Sequence, residues 1–208
     1  SRGLGDVYKR QLLNKAQLAA LSVAAYAVKE AVKIPVGVDA AFNDCESGFA
    51  IAGMIGADFV RVPVFVDRVL FTDGVIEPCA KKCMEYRKSL GLENIKILAD
   101  IQVKHAHMIL PGITIEQSAK DAAANGADAI IVTGSQVGEE TPIEMIDRVK
   151  KVVNIPVIAG SGVNDTNIKD QLNIADGAII GSGFKVNGKI ENPISYELTK
   201  KVMDALRM

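Results

Sequence analysis

Six short apolar runs alternate with amphipathic segments along this chain, and that alternation limits its possible folds more than any other feature. The runs predicted as strands are IPVGVDAAF, DFVRVPVFV, IKILADIQVKHA, ADAIIVTG, IPVIAGSGV and ADGAIIGSGF. A helical segment follows each run, and a further alanine-rich helix, LNKAQLAALSVAAYAVKEAV, precedes the first. Strict alternation of strands and helices predicts a parallel α/β fold, either an open doubly wound sheet or a barrel.

Glycine placement favours the barrel. No Gly-rich dinucleotide fingerprint follows the first strand, whereas Gly-Ser-Gly turns follow the last two strands, where barrels commonly build a phosphate site. A (β/α)8 barrel needs eight βα units and typically about 250 residues, and this chain has 208. We therefore expect residues 12–208 to form a phosphate-binding type of TIM barrel, incomplete, with about six of eight βα units, from the second helix to the eighth.

The first eleven residues, SRGLGDVYKRQ, lack periodicity and do not lead into the pattern that follows. The stretch GLGDVYKRQ resembles translated adapter sequence. Residues 1–11 are therefore expected to be a non-native assembly artefact.

Composition excludes several classes of protein. With a formal net charge of -1, the chain is not built to coat nucleic acid or an acidic membrane surface. It has no apolar run near the roughly 20 residues of a membrane-spanning helix, and no secretory pattern at its start. Three cysteines argue against a disulfide framework and for a reducing, cytoplasmic location. A homo-oligomer is compatible with these properties.

Cys79 and Cys83 are four residues apart and share one helix face. They could ligate a metal, but the sequence shows neither a second pair nor a nearby histidine to complete the site. Core or surface thiols are the favoured interpretation, and neither a metal nor a cofactor is predicted.

Two Gly-Ser-Gly turns stand at equivalent places after the last two strands. They are Gly160, Ser161 and Gly162, and Gly181, Ser182 and Gly183. Glycine lets a ligand approach the backbone, whose amides, with the serine hydroxyls, can bind an anion. Plain strand-to-helix turns are the alternative, but the repetition favours a phosphate-type ligand. Lys185 could contribute charge to such a site, although a solvated surface lysine is the favoured interpretation.

One face of the third strand is polar. Asp100, Gln102 and Lys104 occur at every second position, so they are expected to face the barrel interior. Arg61 and Asp39 are predicted to face inward from the two preceding strands. Residues four apart on a strand are about 13 Å apart and neighbouring strands about 4.8 Å, so Arg61 is the better partner for Asp100.

The polar residues are expected to lie at two different depths in the barrel. A buried pair of Asp100 and Arg61 is expected, while Lys104 and Asp39 lie at the C-terminal rim, where barrel enzymes hold catalytic groups. The candidate catalytic residues are Lys104, Asp39 and Asp100. A desolvated lysine could act as a base or form a Schiff base, and the sequence does not decide between these roles. A structural salt-bridge network is the alternative.

The same rim offers further candidate pocket residues. His105 follows Lys104, and Thr133 and Gly134 close the next strand. The sequence HAH hints at a metal, but His105 should point away from Lys104 and no third ligand converges on it. A solvated loop is the expectation for Gln136, Glu139 and Glu140.

Several motifs together resemble the BtpA/SgcQ family. They are ILADIQVKHA, ADAIIVTGSQVG, PVIAGSGVNDTNI and IADGAIIGSGFKVNGKIENP, supported by IPVGVDAAFND, GADFVRVPVF and TDGVIEPCAKKCMEYRKSLG. The resemblance covers essentially all of the chain after residue 11. It places Asp100, Lys104 and His105 in the family pattern AD-x-x-x-KHA. Asp39 and Pro63 depart from the pattern, because asparagine is common at both positions.

The resemblance implies a (β/α)8 barrel related to phosphate-binding barrels. Its founding cyanobacterial member is linked to photosystem I accumulation, whereas some relatives occur beside sugar-metabolism genes. We therefore expect an enzyme or former enzyme that binds a small phosphorylated metabolite at the C-terminal face. The alternative is a non-catalytic biogenesis factor for a membrane complex such as photosystem I, peripheral to that complex in phototrophs.

Overall fold

The computed structural model describes residues 12–40, 42–71, 74–134 and 140–207. The prediction for residues 1–11 falls outside these described residues.

The described residues contain nine strands. They are β1 (Gly37–Val38), β2 (Phe59–Val62), β3 (Val69–Phe71), β4 (Gly74–Ile76), β5 (Lys96–Ile101), β6 (His107–Met108), β7 (Ala129–Val132), β8 (Val157–Ala159) and β9 (Gly177–Ala178). The α-helices are α1 (Lys15–Ala31), α2 (Cys45–Ile55), α3 (Ala80–Ser89), α4 (Ile115–Ala124), α5 (Ile143–Lys150), α6 (Ile168–Ile174) and α7 (Tyr196–Arg207). Two 3-10 turns, Ser182–Phe184 and Val186–Gly188, follow β9.

Six of these strands form one parallel sheet in the order β1-β2-β5-β7-β8-β9. Each strand pairs with the next of this series along the chain, and every pairing is parallel. A helix connects each strand to its neighbour, as in successive βα units of a TIM barrel. The predicted fold class is therefore confirmed.

Both faces of the central strands are buried, as expected for a parallel sheet covered by helices. All four residues of β7 are buried, and Ile97, Ala99 and Ile101 of β5 are at most 1% exposed. The three β5 residues, Ile130 and Val132 of β7, and apolar side chains of α2, α4 and α5 belong to one apolar core. The core holds the strand ends, and thus the polar residues at those ends, in fixed positions.

A second, antiparallel sheet in the order β4-β3-β6 was not predicted. It is built from the connections that leave the C-terminal ends of β2 and β5. Val64, Val69 and Val103 form a small apolar cluster there, against which Phe42 and Phe71 pack. The dipeptide Asp73-Gly74 between two short apolar runs is the hairpin signal that could have revealed it.

Helix caps fix where three of the helices begin. Asn14 and Gln17 form a reciprocal capping box on α1, and Asp44 caps α2 through the N–H of Ser47. Thr114 caps α4 by accepting the N–H of Gln117. The Gln117 side chain, however, donates to Asp121 instead of returning to the cap.

Among the described residues, no helix combines the length and apolarity that crossing a membrane requires.

Candidate functional site

The predicted site residues gather at the C-terminal ends of the parallel strands, where the active sites of TIM barrels lie. Arg61 is on β2, and Asp100 is near the end of β5. The first Gly-Ser-Gly turn directly follows β8, and the second follows β9 after Ile179 and Ile180. The site can therefore be followed from strand to strand along one edge of the barrel.

Arg61 and Asp100 form the predicted pair. Arg61 Nε donates to Asp100 Oδ1 at 2.8 Å, and Arg61 Nη2 donates to Oδ2 at 2.7 Å. The Asp100 side chain is fully buried, and that of Arg61 is 21% exposed. The strand register explains the contact, because Arg61 lies beside Leu98, which shares a face of β5 with Asp100.

Asp39 extends this pair into a triad. Its Oδ2 lies 3.5 Å from Arg61 Nη1, and its side chain is half exposed. Desolvation raises the pKa of the Asp39 carboxyl, and the Arg61 guanidinium partly opposes that rise. Arg61 thus bridges a buried carboxylate and a more accessible one.

Lys104 lies beyond the end of β5, half-buried, with its backbone N–H donating to Thr133 Oγ1 at 3.1 Å. Desolvation lowers the pKa of the Lys104 ammonium group, and the positive charge of Arg61 lowers it further, while Asp100 acts in the opposite direction. Lysines that act as bases or form Schiff bases have this kind of depressed pKa.

Gln102 does not face the barrel interior, so that prediction is wrong. β5 ends at Ile101, and Gln102 has a φ of 43°, which breaks the alternation of side chains. Its side chain donates instead to Ile113 O and to Ser118 Oγ on α4. Its backbone N–H donates to Asp67 Oδ2 at 2.6 Å, and this contact holds the turn.

The two histidines, like Gln102, lie beyond the end of β5. His105 is exposed, with a φ of 64°, and its pKa is lowered by desolvation and by the charge of Lys104. His107 is in β6, where it pairs with Leu70. The structure does not join these histidines into a group of metal ligands within its described residues.

The first Gly-Ser-Gly turn ties two strand ends together. Gly160 packs so closely on β7 that a Cβ there would lie 2.6 Å from Ile131 Cγ2 and 2.8 Å from Thr133 Cγ2. Ser161 is buried, and its Oγ accepts the N–H of Gly134 at 2.8 Å. This serine therefore holds the loop after β7, while Gly162 has the left-handed φ of 70° that suits glycine.

The second Gly-Ser-Gly turn borders a cavity of about 430 Å³. Ser182, Gly183 and Lys185 line it on one side and Asn164, from the loop after β8, on another. Lys185, for which a solvated surface position was the favoured interpretation, thus lines this cavity. The space at Gly181 is open, because a Cβ there would meet no atom within 4 Å.

The loop after β7 is described only in part. Gln136 and Glu139 lie outside the described residues, and Glu140 is exposed, as predicted, although its Oε1 accepts from Gln171 Nε2. Gln171, fully buried, also donates to Thr141 O. Thr141 in turn lies 3.4 Å, Oγ1 to Oγ, from Ser161.

Sequence reasoning missed the polar residues that support the site. Asp67, buried, accepts from Gln102 N–H and from Ser118 Oγ, and desolvation raises the pKa of its carboxyl. Asn43, with a φ of 69°, accepts the N–H of Val64. Asn43 and Asp44 are residue types typical of a helix N-cap, but nothing in the sequence indicates that Asn43 would contact Val64.

The pKa of Lys104 can be measured by competitive acetylation with limiting acetic anhydride over a pH series. We expect its reactivity to rise at a pH below 10.5, the ordinary value for lysine, because the ammonium form is desolvated. Asp100→Asn should lower the midpoint further, since it removes the Asp100 negative charge, which favours the ammonium form of Lys104. Acetylation of the exposed Lys81, measured in the same samples, serves as the reference. A Lys104 midpoint at or above 10.5 would contradict the prediction.

Comparison with known proteins adds a family to this geometry. An uncharacterized protein from Pyrococcus furiosus is 41% identical over 198 residues, which are 94% of this chain and 74% of that protein. The photosystem I biogenesis protein BtpA of Synechocystis is 32% identical over 190 residues, which are 90% of this chain and 65% of that protein.

A solved structure supports the fold independently. Thiamine phosphate pyrophosphorylase from Pyrococcus furiosus superposes with a TM-score of 0.65 at 15% identity, covering 94% of this chain and 80% of that chain. At this identity the likeness concerns the fold alone. The family model of the BtpA family matches residues 4–208, nearly the whole chain. The chain therefore belongs to the BtpA family.

Proposed function

We propose that this protein binds a small phosphorylated metabolite at the C-terminal end of the barrel. The observation that carries the proposal is the cavity of about 430 Å³ beside the second Gly-Ser-Gly turn. Pockets for small molecules commonly measure about 300–1,000 Å³. Backbone amides at Gly183, the hydroxyl of Ser182 and the ammonium group of Lys185 would supply the donors for a phosphate.

A row of contacts links this cavity to the charged residues. Lys104 N–H contacts Thr133 Oγ1, and the adjacent Gly134 N–H contacts Ser161 Oγ. The loop that contains Ser161 continues to Asn164, which lines the cavity. We therefore assign the cavity and the charged residues to one extended site, with the phosphate in the cavity.

The charged residues would face the rest of the ligand. Lys104 has a depressed pKa, and Asp39 is half exposed with a raised pKa, so both can exchange a proton nearer neutral pH than ordinary side chains. Asp100 is buried and held by Arg61, so in this proposal it positions Arg61 and the field around Lys104. The first Gly-Ser-Gly turn keeps the two halves of the site together.

A likeness of fold agrees with the chemistry of the cavity. The superposed Pyrococcus furiosus enzyme, thiamine phosphate pyrophosphorylase, is named for a phosphorylated compound. Its barrel shows that this fold can serve such a ligand. For the present chain, the phosphate class rests on the residues around its own cavity.

Equilibrium dialysis with radiolabelled sugar phosphates, each paired with its unphosphorylated sugar, tests the proposal. We expect saturable binding of at least one phosphorylated member only, and Lys185→Ala should raise its Kd roughly tenfold by removing a charge-assisted hydrogen bond. Lys189→Ala is the matched control, because Lys189 is exposed and outside the cavity lining. Absence of binding across the panel, or equal effects of the two variants, would refute the proposal.

A second candidate function rests on the Synechocystis relative, the photosystem I biogenesis protein BtpA. In that case the chain would be a non-catalytic assembly factor for a membrane complex. Complementation of a deletion strain separates the two functions. Lys104→Ala at unchanged protein level should abolish complementation by a phospho-metabolite enzyme and leave complementation by an assembly factor intact.

A further inference from the structure

The three cysteines of the chain meet in one buried cluster outside the proposed phosphate site. The Sγ atoms of Cys45, Cys79 and Cys83 all lie within 4.8 Å of one another. Cys79 Sγ and Cys83 Sγ are 3.5 Å apart. All three residues are buried, with exposures of 6%, 9% and 0%.

Two helix starts bring the thiols together. Cys45 is the first residue of α2, Cys79 is the N-cap of α3, and Cys83 follows one turn later on the same face of α3. Helices α2 and α3 pack against each other. The sequence pairs Cys79 with Cys83, but only the fold shows that Cys45 completes the set.

The spacing of the sulfurs suits a single metal ion. Thiolate sulfur binds such ions at about 2.3 Å, so three sulfurs around one ion in a plane lie about 4 Å apart. The observed cluster already has this size, and rotation about the Cα–Cβ bonds by small amounts would complete it. A core of unrelated apolar thiols has no need for such convergence.

The donor set indicates which ion would bind. In the described part of the chain, this group of possible ligands has three sulfurs and no His, Asp or Glu. The nearest carboxylate in sequence, Asp44, is occupied by Leu13 N–H, Ser47 N–H and Ser47 Oγ. Structural zinc is almost always bound by four ligands, whereas thiolate-only sites select soft ions such as copper(I).

We propose that Cys45, Cys79 and Cys83 form a three-coordinate site for a soft monovalent metal ion, copper(I). Binding would release the thiol protons to solvent and form three sulfur–copper bonds, with no change in oxidation state. The negative charge that remains is opposed by the N-terminal ends of α2 and α3, at which Cys45 and Cys79 stand. The Lys82 ammonium, which is paired with Glu46 at 3.0 Å, adds a cation in the first turn of α3.

Anaerobic titration of the reduced chain with copper(I), in competition with bathocuproine disulfonate, tests the site. We expect one copper(I) per chain and a sulfur-to-copper charge-transfer band in the ultraviolet. Cys45→Ser should weaken binding by at least about a hundredfold, since even outer-shell changes cost 10–100-fold. Met54→Leu is the matched control, because Met54 is an exposed sulfur residue on the same helix.

A second measurement uses the unsubstituted chain and so does not depend on whether a variant folds. In the unsubstituted chain, one equivalent of copper(I) should protect all three cysteines from alkylation during a short exposure to iodoacetamide in mild denaturant. The proposal would be overturned if the chelator took all the copper(I) and the chain retained none. It would also be overturned if any one cysteine were alkylated as fast in the presence of copper(I) as in the copper-free chain. Tighter binding of zinc(II) than of copper(I) in parallel titrations would overturn the assignment of the ion.

Discussion

Arg61→Met is expected to lower the free energy of unfolding by about 3–5 kcal/mol, the usual cost of breaking a buried ion pair. The Asp100 carboxylate is fully buried and accepts two hydrogen bonds from Arg61. Without the guanidinium, that carboxylate is left in the barrel interior with its main partner gone. Urea unfolding followed by circular dichroism measures the change, with the midpoint and the m-value compared to those of the unsubstituted chain.

The chain offers a matched control for this variant. Arg148 makes the same two-point contact with Glu116, through Nε at 2.6 Å and Nη2 at 2.9 Å, but on the surface. Arg148→Met should move the unfolding midpoint little, because exposed ion pairs contribute little to stability. A double variant, Arg61→Met with Asp100→Leu, should recover much of the loss by removing the stranded charge. Equal effects of Arg61→Met and Arg148→Met would contradict this account.

The Arg61–Asp100 pair also shows what could be predicted from the sequence. Alternation along a strand and the spacing between strands are properties of any β-sheet, so two inward-facing residues on adjacent strands could be paired before the fold was known. The same rule failed at Gln102, because the strand ends one residue earlier. The left-handed turn there depends on Asp67, which comes from a different connection.

Long-range contacts between loops account for most of what the sequence did not show. The βα alternation depends on local periodicity and was predicted as it occurs, apart from the bounds of the strands. The antiparallel sheet joins connections that are far apart in sequence, and the cysteine cluster joins the starts of two helices. In the same way, the cavity beside the second Gly-Ser-Gly turn needs Asn164 and Lys185 from different loops. No local sequence pattern predicts contacts between such distant segments.

The second large effect is expected at the second Gly-Ser-Gly turn. Gly183→Ala should lower the free energy of unfolding by about 1–3 kcal/mol, the usual cost of overpacking a tight contact. A Cβ at this position would lie 2.5 Å from the backbone oxygen of Val163 and 3.1 Å from Ile180 Cγ2. Because the closest atom belongs to the backbone, a change of side-chain rotamer cannot relieve the contact, and the two loops must move apart.

Gly181→Ala, two residues away, provides the matched comparison. A Cβ there has open space around it, so the free energy of unfolding should change by less than about 1 kcal/mol. Both stabilities are measured by urea unfolding, and binding of the sugar phosphate found by dialysis is measured for each variant. Gly183→Ala should weaken that binding as well, because the movement of Val163 away from Gly183 displaces Asn164 and changes the wall of the cavity. If Gly183→Ala were as stable as the unsubstituted chain, the close approach of the loops after β8 and β9 would not be what forms this cavity.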